Sequence, residues 1–252
     1  MQPDLTGMTV MLTRSKEGNH VWGRELTAYG ADIYDLPTIN TAPATVTDAI
    51  TVALQQLSSY DWLIFTSTAG VRYFGELINS LKKSPVVLPS IAAVGQRTAQ
   101  AVKMLGHEAA FVPTQADSAT LTSELPNPGR ALLLRADIAD PSTVRELEAR
   151  GFDVTDLPIY TTHLLSTPDP KATTQLVSGD IDTVVFASPS AVRGFIGRVN
   201  EQALAKAQQI PAIALGQSTA AALQHTGFQR VHITAEANLK SVAQALAASR
   251  EQ

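Results

Sequence analysis

Cysteine is absent from this 252-residue chain, which excludes disulfide bonds, thiolate metal sites and cysteine nucleophiles. No apolar run is long enough to span a bilayer, and no basic segment followed by an apolar stretch marks a secretion signal. The formal net charge of −4 gives no basic surface for nucleic acid. We therefore expect a cytoplasmic protein that binds neither membranes nor nucleic acid.

Common catalytic and cofactor motifs are missing as well. There is no G-x-G-x-x-G loop after a predicted strand, no G-x-x-x-x-G-K-[ST] loop and no G-x-S-x-G elbow. The five histidines are scattered, without the spacing of metal ligands. These absences predict a protein that needs no metal and no organic cofactor.

What the sequence does contain is ample apolar material and an internal repeat. Hydrophobic residues make up 44% of the chain and charged residues 17%, which suits one or two globular cores. The phrase FTSTAGVRYF at residues 65–74 returns as FASPSAVRGF at residues 186–195, an offset of 121. The same offset, without a gap, aligns further pairs: Arg14 with Arg135, DLP at 35–37 with DLP at 156–158, and GQRTA at 95–99 with GQSTA at 216–220. An internal duplication and two similar lobes are predicted.

Each half alternates short apolar runs with longer helical patterns. Runs such as VMLT, WLIFTS, IAAVG and AFV favour buried parallel strands. Segments such as EGNHVWGRELTAYG and AGVRYFGELINSL favour helices between them. We predict an α/β fold in which each lobe is a doubly wound parallel sheet of about five strands. The Thr- and Pro-rich stretches PTINTAP (37–43) and PIYTTHLLSTPDP (158–170) show no helical pattern and are predicted as a two-segment hinge.

Hydroxyl side chains gather where predicted strands give way to helices. For each one, capping of its own helix is a sufficient explanation. Taken together, four helix N-termini, two per lobe, would face one cleft that suits several negative groups. The candidate binding residues at these junctions are Thr66, Ser67, Thr68, Thr98, Ser188, Pro189, Ser190, Gln217, Ser218 and Thr219. Single changes to Ala at Ser67, Thr98, Ser188 or Thr219 are expected to be mild for activity.

Three further side chains are candidates. Arg14 and Arg135 end the first strand of each half, where contact with a ligand and a structural ion pair both remain open. Tyr160 aligns with Ile39, so a hydroxyl is present in only one of the two connections. A lone tyrosine is usually an amphipathic packing residue, but a tyrosine in a hinge is a better candidate for chemistry. Arg72 and Arg193, inside predicted helices, are expected to form structural salt bridges.

Over essentially its whole length the chain resembles the uroporphyrinogen-III synthase family. The resemblance rests on LTR (12–14), IFTSTAGV (64–71), AAVGQRTAQAV (92–102), LPIYTT (157–162), FASPSAV (186–192), IALGQSTAAAL (213–223) and ITAEANLKSVAQAL (233–246). It implies a cofactor-free, monomeric lyase of tetrapyrrole synthesis. The implied substrate is hydroxymethylbilane, a flexible linear tetrapyrrole with eight carboxylates, which loses its hydroxyl and closes with inversion of the terminal pyrrole.

The resemblance also implies roles for individual residues. Tyr160 matches the tyrosine that assists departure of the hydroxyl, and hydroxyl residues matching those that line the cleft are Thr66, Ser67, Thr98, Ser188, Ser218 and Thr219. Many bacterial members have a Gly-rich stretch with a second Arg after Arg135, whereas this chain has ADIADP. The family further implies a swapped connection, with one lobe formed by residues 1–38 and 165–252 and the other by residues 39–164.

Two other classes fit parts of the pattern. A non-catalytic two-lobed anion-binding protein, similar to periplasmic solute receptors, would also have duplicated α/β lobes and a hinge. A pair of response regulators would need clustered acidic residues after the first strand of each half. LTRSKEG and LLRADIAD do not both supply them.

Overall fold

The computed structural model describes residues 3–80 and 87–250. Of these, the residues up to Asn40 and from His163 onward form one compact unit, here unit 1, and Thr41–Thr162 form a second, unit 2. Strands and helices are numbered along the chain. The α/β class predicted from the sequence is confirmed, with two predominantly parallel sheets. The predicted domain boundaries remain a prediction.

The first sheet joins strands from the two ends of the chain. Its strands are β1 (Thr9–Leu12), β2 (Asp32–Asp35), β8 (Thr183–Phe186), β9 (Ala212–Ala214) and β10 (Val231–Ile233). They lie in the order β10-β9-β8-β1-β2 and pair in parallel throughout. The helices of unit 1 are α1 (Lys16–Thr27), α7 (Pro170–Ser178), α8 (Pro189–Arg198), α9 (Glu201–Ala207), α10 (Gln217–His225) and α11 (Leu239–Ser249). Chain order reverses at β1 and β8, as in a doubly wound sheet.

The second sheet is built from the middle of the chain. Its strands are β3 (Ile39–Pro43), β4 (Trp62–Phe65), β5 (Ser90–Ala93), β6 (Arg130–Ala136) and β7 (Asp153–Leu164), in the order β3-β7-β6-β4-β5. The helices of unit 2 are α2 (Asp48–Gln55), α3 (Thr68–Ser80), α4 (Gln96–Met104), α5 (Ser118–Glu124) and α6 (Ser142–Ala149). A short 3-10 turn follows α2 at Leu57–Ser59.

The central strands are buried because helices cover both faces of each sheet. Every residue of β4 and of β8 is buried, which explains why both read as continuous apolar runs. Phe186 packs edge-on against Phe195 and Phe228 in unit 1, with ring centroids 5.4 and 5.5 Å apart. In unit 2, Phe65 packs against Phe74 at 5.4 Å. The repeated phrases therefore supply the core contact between a strand and the helix that follows it.

The stretches PTINTAP and PIYTTHLLSTPDP, which show no helical pattern, contain β3 and residues 158–164 of β7. Their role as a hinge remains a prediction. Their Thr, Ile and Tyr residues fit a pleated surface, and the ladder uses their backbone groups. One strand prediction was wrong, because the run AFV forms only an isolated bridge between Ala92 and Phe111. Gly30 and Gly106, which follow α1 and α4, have φ of 93° and 86°, the left-handed conformation in which many helices end.

Candidate active site

The most developed polar site of unit 2 begins where β4 ends. Strand β4 lies between β5 and β6, all parallel, so their carboxyl ends share one edge of the sheet. Thr66 and Ser67 follow directly, and the Ser67 Oγ accepts a hydrogen bond of 3.0 Å from the Gly70 backbone N–H. Ser67 thus caps α3, while Thr68 is an exposed residue in its first turn.

Tyr160 reaches this junction from β7. Its hydroxyl lies 2.9 Å from the Ser67 Oγ, and the residue is only 7% exposed. The ladder between β6 and β7 shifts register here: Arg135 pairs with Pro158 and Ala136 with Tyr160, which leaves Ile159 as the extra residue. Such a bulge re-aims the side chains next to it. The bulge therefore helps to direct the Tyr160 phenol toward the start of α3.

A second tyrosine completes the cluster. The rings of Tyr73 and Tyr160 are stacked, with centroids 5.2 Å apart and planes 20° apart. The Tyr73 hydroxyl donates to the Thr41 Oγ1 at 3.0 Å. The Arg72 guanidinium lies 4.4 Å from the centre of the Tyr73 ring and also donates to the Thr41 Oγ1, at 3.3 Å. We call Thr41, Ser67, Arg72, Tyr73 and Tyr160 the tyrosine cluster.

Burial controls the ionisation of the Tyr160 phenol. Removal from water raises its pKa above the ordinary value of 10.0 because the phenolate would be poorly solvated. The hydrogen bond with Ser67 acts in the opposite direction, and the neighbouring Tyr73 and Asp137 favour the neutral form. The phenol is therefore protonated at neutral pH and can donate a proton or a hydrogen bond.

Unit 1 presents a related arrangement without tyrosines. Ser188 caps α8 by accepting from the Ala191 N–H at 3.2 Å, Pro189 is the first residue of that helix, and Ser190 accepts from Arg193 at 3.2 Å. Strands β8 and β9 are parallel neighbours, so α8 and α10 begin at the same sheet edge. This end of unit 1 carries two helix N-termini with their unpaired N–H groups and positive dipole ends.

The second junction of each unit differs from the expected capping by Ser or Thr. Gly95 and Gly216 are the N-caps of α4 and α10, and neither helix has a side-chain cap. Thr98 and Thr219 sit in the first turn with 4% and 2% exposure, so they are core residues at these ends. Gln217 and Ser218 are exposed there. A Cβ at Gly95 would lie 2.7 Å from that of Ala116, which explains the glycine in unit 2.

The two arginines after the first strands have different surroundings. Arg135 is 6% exposed and makes a bidentate ion pair with Asp156, with Nε–Oδ1 and Nη2–Oδ2 distances of 2.7 and 2.6 Å. Its Nη1 also donates to the Asp140 carbonyl. The Arg14 guanidinium instead lies 4.1 Å over the Trp22 ring. Arg135 therefore has a structural role, which was one of the two interpretations of the sequence.

Sequence reasoning missed Tyr73 and Thr41 and treated Arg72 only as a salt-bridge residue. Arg72 does approach Glu76, at 3.8 Å, but both side chains are about half exposed. The repeat contained a usable signal: the residue 121 positions after Tyr73 is Gly194, a change as large as that from Tyr160 to Ile39. Comparing the halves residue by residue would have found both tyrosines.

Within residues 3–80 and 87–250, no three His, Cys, Asp or Glu side chains come together as metal ligands would. Across the same residues, no helix is both long and apolar enough to cross a bilayer.

Comparisons with known proteins give consistent results. The model of the family described as "Uroporphyrinogen-III synthase HemD" matches residues 20–244. A uroporphyrinogen-III synthase of Chlorobaculum parvum is 27% identical, with 88% of this chain and 90% of that protein covered. A porphyrin biosynthesis protein of Ruminiclostridium josui is also 27% identical over 92% of this chain, which spans 46% of that longer relative.

Solved structures match over nearly the whole chain. A mutant uroporphyrinogen III synthase from Thermus thermophilus is 22% identical, with 97% of this chain and 99% of that chain covered and a TM-score of 0.67. The enzyme from Helicobacter pylori is 18% identical, with coverage of 96% and 99% and a TM-score of 0.60. At these identities the likeness establishes the fold.

Proposed function

The chain belongs to the uroporphyrinogen-III synthase family, the cyclising lyases of porphyrin biosynthesis, and from this premise we propose that it converts hydroxymethylbilane to uroporphyrinogen III. The reaction removes the terminal hydroxyl as water, joins the two ends of the tetrapyrrole and inverts the last pyrrole ring. No change of oxidation state is involved. The departing hydroxyl must acquire a proton, and the terminal ring must be held in the orientation that leads to inversion.

The observation that carries the proposal is the buried phenol of Tyr160. It lies at the carboxyl end of a parallel sheet, beside the capped start of α3, with its hydroxyl 2.9 Å from the Ser67 Oγ. Its raised pKa keeps it protonated in the pH range in which a biosynthetic enzyme works. We assign it the role of hydrogen-bond donor or proton donor to the departing hydroxyl.

Substrate binding is assigned to the helix N-termini of both units. A substrate with eight carboxylates needs several anion sites, and uncapped backbone N–H groups at α4 and α10 supply such sites without any charged side chain. The assigned residues are Arg14, Thr66, Ser67, Thr68, Thr98, Ser188, Pro189, Ser190, Gln217, Ser218 and Thr219. Among these, the buried Thr98 and Thr219 are assigned as residues that hold the first turns of α4 and α10 in place. Arg135 is left out because its guanidinium is already bound by Asp156.

The finer organisation of the chain is proposed in the same way. The two units represent the duplicated lobes, with connections near Thr38 and Leu165 acting as a two-segment hinge. Five strands in each sheet and the gapless 121-residue offset support this assignment. The protein acts as a cytoplasmic monomer and needs neither metal nor organic cofactor.

The product isomer tests this function directly. Hydroxymethylbilane closes without enzyme to the uninverted isomer, so inverted product measures catalysis. The wild-type chain should form the inverted isomer, and Tyr160→Phe should form it about tenfold to 100-fold more slowly, at the low end of general acid–base effects because the pyrrole already favours loss of its hydroxyl. If the wild-type chain leaves the spontaneous closure to the uninverted isomer unchanged, the function is rejected in favour of a non-catalytic binding protein.

Tyr60 provides a matched control. It lies in the same unit, is likewise 7% exposed, and donates its hydroxyl to the Thr155 Oγ1 at 3.2 Å. Tyr60→Phe should therefore remove a comparable hydrogen bond with no loss of inverted product. Wild-type turnover in Tyr160→Phe would show that Tyr160 is only a packed aromatic residue, while leaving the family reaction intact.

A further inference from the structure

We infer that Tyr73 is a positioning residue for the reaction: its ring fixes the plane of the Tyr160 ring, and its hydroxyl is anchored by Thr41 so that the stack keeps one orientation. This inference rests on the proposed function, since it concerns the aim of the Tyr160 phenol. The observation behind it is a continuous set of contacts, from Thr41 through the two rings to Ser67.

A tyrosine that acts as a donor must present its O–H along one direction, yet a stretch of β-strand fixes only the Cα–Cβ bond. The hydroxyl of Tyr160 is held at Ser67, and its ring is held by the nearly parallel ring of Tyr73. Tyr73 cannot swing away easily, because its own hydroxyl is bonded to Thr41 and the Arg72 guanidinium lies against its ring. Two hydroxyl anchors on different elements thus hold the ring pair.

The 121-residue offset separates the two tyrosines from the other residues of the tyrosine cluster. Ser67, Arg72 and Thr41 have their counterparts in Ser188, Arg193 and Thr162, so the polar residues of the cluster occur in both halves. The two tyrosines do not: their counterparts are Gly194 and Ile39. The halves therefore differ at the two positions whose side chains are stacked on each other in unit 2.

Space in unit 1 excludes a second pair of this kind. A Cβ built on Gly194 would lie 2.1 Å from the Thr38 carbonyl oxygen, so even alanine does not fit without movement of the backbone. The ring pair can exist in one half only. This is what a reaction that protonates one hydroxyl of an unsymmetrical substrate requires.

The test is a double-mutant cycle on the rate of inverted-isomer formation. Tyr73→Leu removes the ring and should lower kcat about tenfold, with KM changed less than about threefold, because misorientation of a reacting group affects turnover. Tyr73→Phe keeps the stack and removes only the hydroxyl anchored by Thr41, so it should lower kcat by no more than about twofold to threefold. In a chain that already carries Tyr160→Phe, adding Tyr73→Leu should lower kcat by less than about twofold further. A residue that acts by positioning Tyr160 has little effect once the Tyr160 hydroxyl is gone.

Phe74→Leu is the matched control for loss of a core aromatic ring. Phe74 is the next residue on α3, is 3% exposed and packs its ring on Phe65. It should lower the melting temperature as Tyr73→Leu does, with kcat retained. Equal losses of kcat in Tyr73→Leu and Phe74→Leu, or full additivity with Tyr160→Phe, would overturn the inference. Neither result would touch the proposed function, which depends on inverted product from the wild type.

Discussion

Tyr73 in unit 2 and Gly194 in unit 1 are related by the 121-residue offset, and each lies in the helix that follows a buried central strand. Tyr73 carries a ring that packs on Tyr160, whereas the Thr38 carbonyl lies so close to Gly194 that no side chain fits there. Similar scaffolds can therefore be filled in opposite ways. In unit 1 the backbone itself takes up the space beside the helix, and in unit 2 a side chain with a hydroxyl does.

The partners of two equivalent aspartates, Asp35 and Asp156, show a second difference between the halves. Asp35 and Asp156 are related by the offset, as are Asn19 and Asp140. In unit 1, the Asn19 amide donates to the Asp35 Oδ1 at 2.6 Å and to the Leu12 carbonyl at 2.9 Å. In unit 2, Arg135 takes both oxygens of Asp156. The carboxylate at this equivalent position thus accepts a hydrogen bond from a neutral amide in unit 1 and from a guanidinium in unit 2.

The largest effect is expected from placing a methyl group on Gly194. Gly194→Ala should destabilise the protein by about 3 kcal/mol, because a backbone carbonyl, which cannot rotate away, stands 2.1 Å from the new Cβ. Gly23→Ala, in α1 of the same unit, is the control: its Cβ would meet Ile33 at 3.4 Å, an ordinary contact. Urea unfolding should show no loss, or a gain of about 0.5–1 kcal/mol, for Gly23→Ala. Equal stability of the two variants would contradict the account of Gly194.

A smaller but still large effect is expected at Asp156. Asp156→Asn leaves the buried Arg135 guanidinium without its carboxylate and should cost about 2–3 kcal/mol, somewhat below fully buried pairs because Asp156 is one-third exposed. Asp35→Asn should cost less than about 1 kcal/mol, since an amide oxygen can still accept from Asn19. Chemical denaturation of the two variants checks this. A larger loss of stability in Asp35→Asn than in Asp156→Asn would contradict this expectation.

The two capping serines should differ in activity and, to a lesser degree, in stability, because Ser67→Ala also removes the bonding partner of the buried Tyr160 hydroxyl. Ser67→Ala and Ser188→Ala each remove one N-cap bond, worth about 1 kcal/mol. Only Ser67 also contacts the Tyr160 hydroxyl among the contacts described for these two residues. Ser67→Ala should therefore slow inverted-isomer formation several-fold, in contrast to the mild effect expected from the sequence, and Ser188→Ala should do so less. Equal rates of inverted-isomer formation in the two variants would show that the Ser67 hydroxyl has no special role in the reaction.

The smallest effect is expected from alkaline titration. Burial raises the pKa of Tyr160 in the folded protein above its value of about 10 in the unfolded chain. The unfolded chain therefore loses this proton first, and the free energy of unfolding should fall as the pH rises through 10 and above. Tyr160→Phe should reduce that fall. Tyr34→Phe in unit 1, whose phenol is less buried and also has a raised pKa, should reduce it less.

Much of the fold follows from local patterns in the sequence. Runs such as WLIF predicted buried strands, and the segment AGVRYFGELINSL predicted α3, because apolar residues follow one another in a buried strand and recur at helical spacing in a helix. The strands β3 and β7 were not assigned from the sequence, since polar residues and prolines interrupt their apolar pattern and pairing with distant strands decides their conformation. Ser67 and Tyr160 were found singly. Their 2.9 Å contact joins residues 93 positions apart, so only the folded chain reveals it.

The extra residue in β7 has a consequence for how such a chain can change over time. Side chains along a strand alternate between two faces, yet Ile159 and Tyr160 both belong to the core of unit 2 because the register shifts between them. Losing that one residue would remove the bulge and restore regular pairing, so positions outside the bulge would keep their faces. A one-residue insertion or deletion elsewhere in the paired part of β7 would instead exchange the faces of every position on one side of it. The strand can therefore change its length by one residue at the bulge alone, a limit independent of the chemistry of any single side chain.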